Sequence, residues 1–301
     1  MKRKILRFEQ YHMNYAGNII RPPSEANAII LQVTVGCSYN QCTFCGAYKD
    51  VSFQIKPEDM IDEDLDFAQK HCQRQNRIFL ADGDVLILSQ KRLVRLFCEI
   101  RQHLPWIRRI SLYGSARSIR NKSINQLLEL KSLGLDRVYM GLESGCDKVL
   151  KFVKKGETAT TMIAAGRKIK EAGLFLSVTS LLGLGGVSLS SEHAADTAKA
   201  LNEMAPNQIA ALTLMPLENT ILGKAVASGS FILPSPSEIL MELHLLISNL
   251  QDIKSQFHAN HASSYLPLAG RLPKDKDFLL SSIVKALNGA TPLVPDYRRA
   301  L

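Results

Sequence analysis

At 301 residues, with 46% hydrophobic and 22% charged side chains, the chain is long enough for one large core or about two domains, and large-scale disorder is excluded. The net charge of +9 favours an anionic partner. Its Lys and Arg residues are nevertheless spread over helix faces, as in Lys91-Arg92-Leu93-Val94-Arg95 and Lys168-Ile169-Lys170, which disfavours direct nucleic-acid binding.

The start, Met1-Lys2-Arg3-Lys4, is basic, but the run at 5–9 is too short and too charged for a signal-peptide core. The most apolar stretch, residues 174–187, is shorter than a membrane span. A cytoplasmic setting without membrane insertion is expected, and the six cysteines then read as metal ligands or buried thiols rather than disulfides. Residues 1–28 hold Tyr11, Tyr15, Gly17 and Pro22-Pro23 without a clear period, and read as an extended arm packed on the body.

Residues 29–35 form a near-continuous β-branched run, the mark of a strand buried on both faces in a parallel sheet. Gly36 ends it and opens a loop with three cysteines in nine residues, Cys37, Cys42 and Cys45. Three thiolates from one loop suit an iron-sulfur cluster or zinc, and both centres normally take four ligands. The identity of the fourth ligand is open at this point.

Helix and strand then alternate. Helices are predicted at 57–73, 89–103 and 125–132, the last closed by Gly134, with strands at 77–81, 109–113 and 137–140. A helix capped by Thr158 or Thr160 runs to Ala172 and stops at Gly173, followed by a strand at 174–179, a helix at 190–204 and a strand at 208–214. Cys72 and Cys98 fall on helical patterns and read as small buried hydrophobes, as does Cys146 in its loop.

Six strands in strict alternation predict an α/β fold, a partial (β/α)6 TIM-type barrel whose functional residues lie at the carboxyl ends of the strands. Beyond Pro216 no strand is predicted, and helices at 236–257 and 274–287 make a helical C-terminal extension. The expected divisions are an arm (1–28), a core barrel (29–232) and the extension (233–301). Missing two units, such a barrel has a lateral opening suited to a large substrate.

A cysteine-rich loop after the first strand of a six-unit barrel resembles the radical S-adenosylmethionine (radical SAM) superfamily. The family usually spaces these residues Cys-x3-Cys-x2-Cys, whereas this chain has Cys37-x4-Cys42-x2-Cys45. The resemblance implies a 4Fe-4S cluster on the three cysteines, with its fourth iron chelated by the amino and carboxylate groups of S-adenosylmethionine. It further implies reductive cleavage to methionine and a 5′-deoxyadenosyl radical, which abstracts hydrogen from an unknown substrate. The electron would come from a donor such as flavodoxin or ferredoxin.

Several strand ends carry the same resemblance. Phe44 matches the aromatic residue that lies against the adenine. Asp82-Gly83-Asp84 stands where the family has Gly-Gly-Glu, so Gly83 and Asp84 are implied at the methionine amino group. Ser115 and Arg117 offer a hydroxyl and a guanidinium to a carboxylate or ribose. Gly141-Leu142-Glu143-Ser144-Gly145 resembles the family's Gly-x-Glu-Ser-Gly, implying cofactor contacts from Glu143 and Ser144. Arg167 resembles an arginine used by some members for the methionine carboxylate, Gly183-Leu184-Gly185-Gly186 a turn beside the adenosine, and Met215 a backbone position at the adenine edge.

His258 and His261, with Asn260, could bind substrate, shuttle a proton or satisfy packing of the tail. No second three-cysteine domain, RNA-binding tail or cobalamin domain is visible, which disfavours methylthiolation and cobalamin chemistry. The competing reading is a non-catalytic iron-sulfur or zinc protein that binds nucleic acid, although no nearby fourth zinc ligand is visible in the sequence.

Overall fold

The computed structural model describes residues 12–300, so the basic start at Met1-Lys2-Arg3-Lys4 and Tyr11 lie outside the described residues. In chain order come β1 (Ile29–Gln32), a small ribbon of β2 (Thr34–Val35) and β3 (Gln54–Ile55), α1 (Glu58–His71) and β4 (Arg77–Ala81). Next are α2 (Gln90–His103), β5 (Arg109–Tyr113), α3 (Ala116–Arg120), α4 (Ile124–Ser132), β6 (Leu135–Glu143), α5 (Asp147–Phe152) and α6 (Ala159–Glu171). The chain continues through β7 (Phe175–Leu182), α7 (Gly186–Met204), β8 (Gln208–Thr213), α8 (Ile221–Ala227), α9 (Pro236–Asn249), β9 (Ser255–Ala259), β10 (Leu268–Leu272) and α10 (Lys276–Leu287).

Local chemistry sets many of these boundaries. Ser89 caps α2 by accepting the Arg92 N–H, and Ser123 with Gln126 and Ser235 with Glu238 form reciprocal capping boxes at α4 and α9. Gly134 and Gly173, at φ of 111° and 66°, turn the chain out of α4 and α6.

One sheet runs β1-β4-β5-β6-β7-β8-β9-β10; every neighbouring pair is parallel except β9 with β10. Strand alternation divides its residues between two faces. Leu31, Ile78, Leu80, Ile110, Leu112, Val138, Leu176 and Ile209 pack with helix residues such as Leu65, Phe97, Leu130, Ile169 and Leu201 in the main core. Full burial of each Leu or Ile contributes roughly 1.5–3 kcal/mol. The opposite face carries Ile30, Phe79, Ala81 and Tyr139, with Phe79 edge-on to Tyr113 at 5.0 Å and to Tyr139 at 5.8 Å.

Two expectations are corrected. The run at 29–35 is not one strand: it breaks at Val33, and Thr34–Val35 pairs antiparallel with Gln54–Ile55, bending the chain into the cysteine loop. The 233–301 segment is not purely helical, because α9 ends at Asn249 and residues 255–259 become β9, hydrogen-bonded to β8. β9 and β10 extend the six expected strands to an eight-stranded sheet. Among the described residues β1 and β10 do not pair, so the barrel is partial and unclosed.

The described part of the arm is held at two places. Gln32 exchanges hydrogen bonds with the Ala16 backbone at 2.8 and 2.9 Å, and the Tyr15 hydroxyl donates to the Ile30 carbonyl at 2.9 Å. Glu25, wholly buried, accepts from Arg109 at 2.9 and 3.0 Å and from the Tyr139 hydroxyl at 2.7 Å.

Candidate functional site

Because the strands are parallel from β1 to β9, their carboxyl ends share one edge of the sheet, and the cysteine loop lies across it. Ser38 donates to Asp84 beyond β4 at 3.2 Å, and the Tyr39 hydroxyl donates to the Lys154 carbonyl beyond α5 at 3.0 Å. The Thr43 N–H donates to the Val153 carbonyl at 2.9 Å, while the Thr43 carbonyl accepts from Leu222 of α8 at 2.9 Å. Backbone and side chain therefore fix the loop to the segments that follow β4, β6 and β8.

The longer first cysteine spacing contains an anchored turn. Asn40 lies in the left-handed region at φ 45°, which asparagine tolerates better than most residues. Its Nδ2 donates to the Tyr48 carbonyl at 2.6 Å and its carbonyl accepts from Lys49 at 3.0 Å, so the added length forms an anchored turn.

Cys37, Cys42 and Cys45 are half-buried free thiols. Burial pushes Cys42 up to about 11, opposed by the Lys155 ammonium, and burial also raises Cys45 against a hydrogen bond from the Ala47 backbone. A bound cation would reverse this and hold the sulfurs as thiolates. Among the described residues, the trio of potential ligand atoms lying within 4.8 Å of one another is Cys146, Glu192 and Asp196, so the three loop sulfurs are spread more widely. Three thiols from one loop are a soft donor set that suits an iron-sulfur cluster.

After β4, Asp82 and Asp84 are both buried. Asp82, at φ 77°, accepts from Gln32 at 2.6 Å, the Gly36 N–H at 3.3 Å and the Tyr48 hydroxyl at 3.2 Å, joining β1 to the loop. Asp84 accepts from the hydroxyls of Ser115 at 2.7 Å and Ser118 at 2.6 Å, in addition to Ser38. Burial raises both carboxyls, and these donors oppose the shift. Gly83 lies where an added Cβ would meet Cys37 Cα and Cβ at 3.0 Å, so its lack of a side chain lets the two loops touch.

At the end of β6, Glu143 adopts φ 62° and its Oε1 accepts from Lys155 at 2.9 Å. A Cβ on Gly141 would lie 2.3 Å from that carboxylate oxygen and 3.3 Å from the Lys155 ammonium. Glu143 thus folds back over a glycine. Burial alone would lower Lys155, but Glu143 and the neighbouring Cys42 and Cys45 outweigh it and hold the ammonium up.

Ser144 faces a different network. Fully buried, it lies 2.7 Å from His193 Nδ1 and accepts the Cys146 N–H at 3.0 Å. His193 Nε2 lies 3.2 Å from the Leu181 carbonyl and 3.5 Å from Glu242, which accepts from the Gly183 N–H at 2.7 Å and the Ser190 hydroxyl at 2.5 Å. Burial depresses His193 to about 4 and raises Glu242 to about 7. These contacts assign the proton of a neutral His193 to Nε2, with Nδ1 accepting from Ser144.

The remaining predicted residues divide. Phe44 packs in an apolar cluster with Val149, Val153, Leu181, Leu214 and Leu222. Ser115 caps α3, and the exposed Arg117 guanidinium lies 5.5 Å from the centre of the Tyr39 ring. Gly183, at φ 81°, donates to Glu242, and Met215 follows β8 half-buried. Arg167 is not brought to this edge: it lies on the outer helical layer, donating to Glu203 of α7. His258 falls within β9 beside Ala210, and His261 lies just beyond that strand, 2.9 Å from Ser263. Asp82 belongs to the Asp82-Gly83-Asp84 motif but its role in joining β1 to the loop is not readable from it, and no sequence motif marks Lys155, Tyr48 or the His193–Glu242 pair.

Comparison with known proteins agrees with this geometry. The family model described as the Radical SAM superfamily matches residues 31–198, more than half of the chain. A 4'-phospho-dehydrooxetanocin synthase from Priestia megaterium is 24% identical over 170 residues, covering 50% of this chain and 23% of the relative. The chain thus spans less than a quarter of that relative's length. Coproporphyrinogen III oxidase from Escherichia coli, described as a radical SAM enzyme, superposes with a TM-score of 0.55 at 19% identity, over 74% of this chain and 52% of that one. A radical S-adenosylmethionine methyltransferase from Kitasatospora setae, solved with cobalamin and a [4Fe-4S] cluster, gives a TM-score of 0.54 at 18% identity, over 67% of this chain and 39% of that one. Methylornithine synthase gives 0.55 at 14% identity, over 85% and 70%. These solved structures share the fold, and the family match adds the cofactors: the chain belongs to the radical SAM superfamily, which works with a 4Fe-4S cluster and S-adenosylmethionine.

Proposed function

We propose that Cys37, Cys42 and Cys45 hold a 4Fe-4S cluster at which this chain reductively cleaves S-adenosylmethionine, for hydrogen abstraction from a substrate of its own. The observation that carries this reading is the three-thiol loop fastened at the carboxyl-end edge of a parallel sheet, against the segment after β4 and the turn that carries Lys155. When bound, the reduced cluster supplies the electron that breaks the sulfonium bond, leaving methionine and a 5′-deoxyadenosyl radical.

The chain's own residues bind and orient. Gly83 keeps the loop after β4 against Cys37, where backbone groups can receive the methionine amino group. Asp84 acts by ordering the hydroxyls of Ser38, Ser115 and Ser118, and Ser115 and Arg117 border the same loop for a carboxylate or ribose. Glu143 supplies the acidic contact at the end of β6. Ser144 acts from beneath by fixing the turn, and Gly183 and Met215 border the nucleoside. Phe44 contributes an apolar wall that keeps water from the reacting groups. Arg167 has no part in this arrangement.

Reaction requires an electron donor and a substrate. A flavodoxin or ferredoxin in a reducing cytoplasm agrees with six free cysteines, and no described helix is long and apolar enough to cross a membrane. Anaerobically reconstituted protein given a reductant and S-adenosylmethionine should release 5′-deoxyadenosine, and a Cys37/Cys42/Cys45→Ala triple variant should not. Equal release from both proteins would refute the proposal. Transfer of deuterium into 5′-deoxyadenosine from labelled candidates then identifies the substrate.

A further inference from the structure

The turn between α5 and α6 brings a lysine to the cysteine loop. α5 ends with the Lys154 N–H donating to the Lys151 carbonyl at 3.1 Å and the Lys155 N–H to the Leu150 carbonyl at 2.9 Å, with Lys154 at φ 51°. This is a Schellman termination with lysine at the position where glycine is usual. It leaves the Lys154 side chain exposed and turns Lys155 inward. The Lys155 side chain is 18% exposed and that of Glu143 14%, which makes theirs a largely desolvated pair.

The cysteine loop itself holds this turn. Tyr39 donates to the Lys154 carbonyl at 3.0 Å, and a Cβ on Gly156 would lie 2.3 Å from the Tyr39 hydroxyl oxygen. Gly156 is therefore needed for the ring to seat, and the loop that carries the thiols also fixes the ammonium beside them. An exposed ion pair would be screened by water, whereas one sheltered beside Cys42 and Cys45 acts on them through a lower dielectric.

Resting on the cluster assignment above, we propose that Lys155 is a positioning residue with an electrostatic role: it holds Glu143 in place and raises the reduction potential of the centre at Cys37, Cys42 and Cys45. A fixed positive charge favours the state that has gained an electron, and a carboxylate at the same distance opposes it. Lys155 and Glu143 therefore act on the potential with opposite signs.

The test compares reconstituted wild type with Lys155→Met, Lys155→Arg and Glu143→Gln in redox titrations followed by electron paramagnetic resonance, without S-adenosylmethionine. Lys155→Met should shift the equilibrium at least about tenfold toward the oxidised cluster, a midpoint about 59 mV more negative for one electron. Lys155→Arg should stay at the wild-type potential and Glu143→Gln should move positive. Weakened S-adenosylmethionine binding in Lys155→Met with no change in potential would reduce Lys155 to a prop for Glu143 and overturn the proposal. A negative shift in Glu143→Gln would also overturn it. If Lys155→Met takes up no iron, the arginine and Glu143 variants decide by the same criteria. Failure of the wild type to load four irons would instead refute the cluster assignment, and iron content shows this before any potential is read.

Discussion

Glu143 holds a backbone conformation that costs a non-glycine residue roughly 1–2 kcal/mol, and its carboxylate folds over Gly141 to reach Lys155. Any side chain at 141 must displace that carboxylate. Gly141→Ala should therefore weaken S-adenosylmethionine binding at least about tenfold, about 1.4 kcal/mol, while iron uptake persists. Equilibrium binding to the reconstituted variant measures this, and unchanged affinity would remove Glu143 from the cofactor site. At this scale the motif Gly141-x-Glu143-Ser144 was legible from the sequence, but the two side chains part company: Glu143 turns toward the thiols and Ser144 toward His193. Lys155 was not legible. Beside Lys151 and Lys154 it is one more basic residue on a charged stretch, and its direction is set by a helix ending that depends on tertiary contacts. Asn40, inside the longer cysteine spacing, was not legible either: its left-handed backbone and its bonds to Tyr48 and Lys49 come only with the fold.

Among the elements, helices with side-chain caps were readable near their true starts, because Ser89, Ser123 and Ser235 satisfy backbone donors locally. β9 was not, for a physical reason. Leu243, Leu246, Leu250, Ile253 and Phe257 continue the three-to-four spacing of α9, so the pattern runs on as helix, while the strand is decided by its distant partners β8 and β10. α9 also carries Glu242 into contact with β7 and α7. Its carboxyl, raised from 4.5 to about 7, contributes stability that is present below pH 4.5 and lost as pH rises through about 7. His193, lowered from 6.5 to about 4, contributes stability that is present above pH 6.5 and lost as pH falls through about 4. The two slopes oppose each other between about pH 4.5 and 6.5. Glu242→Gln removes the first, so the variant should gain on wild type as pH rises from about 4.5 to 7, by on the order of 3 kcal/mol at most. Denaturant unfolding of both proteins at pH 5 and pH 8 measures the difference; a constant difference would mean that Glu242 is ionised throughout.

For the molecule as a whole, the alternating pattern gave the parallel sheet and placed the cysteine loop at its active edge. It misjudged where the sheet ends. Ile239, Leu243, Leu246 and Ile247 of α9 lie in the same core as Leu201 and Ile209, and β9 satisfies the edge of β8. A fragment ending at residue 232 would uncover that core and leave the β8 edge open. It should self-associate in size-exclusion chromatography where the full chain runs as a defined species, and a monodisperse, cooperatively unfolding fragment would show that residues 233–301 are dispensable for the core.

At the other margin, the arm lies along β1, with Tyr15 and the Ala16 backbone bonded to Ile30 and Gln32. A closed barrel has a circumference fixed by strand number and stagger. This sheet has no ladder hydrogen bond between β1 and β10, so its girth can change without breaking one. The arm, bonded to β1 through Tyr15 and Ala16 and to β5 and β6 through Glu25, ties that margin to the middle of the sheet. The unclosed side thus leaves the approach to the thiols bounded by the arm and by β10 rather than by a ladder, while the parallel strands around the thiols lie in one hydrogen-bonded sheet.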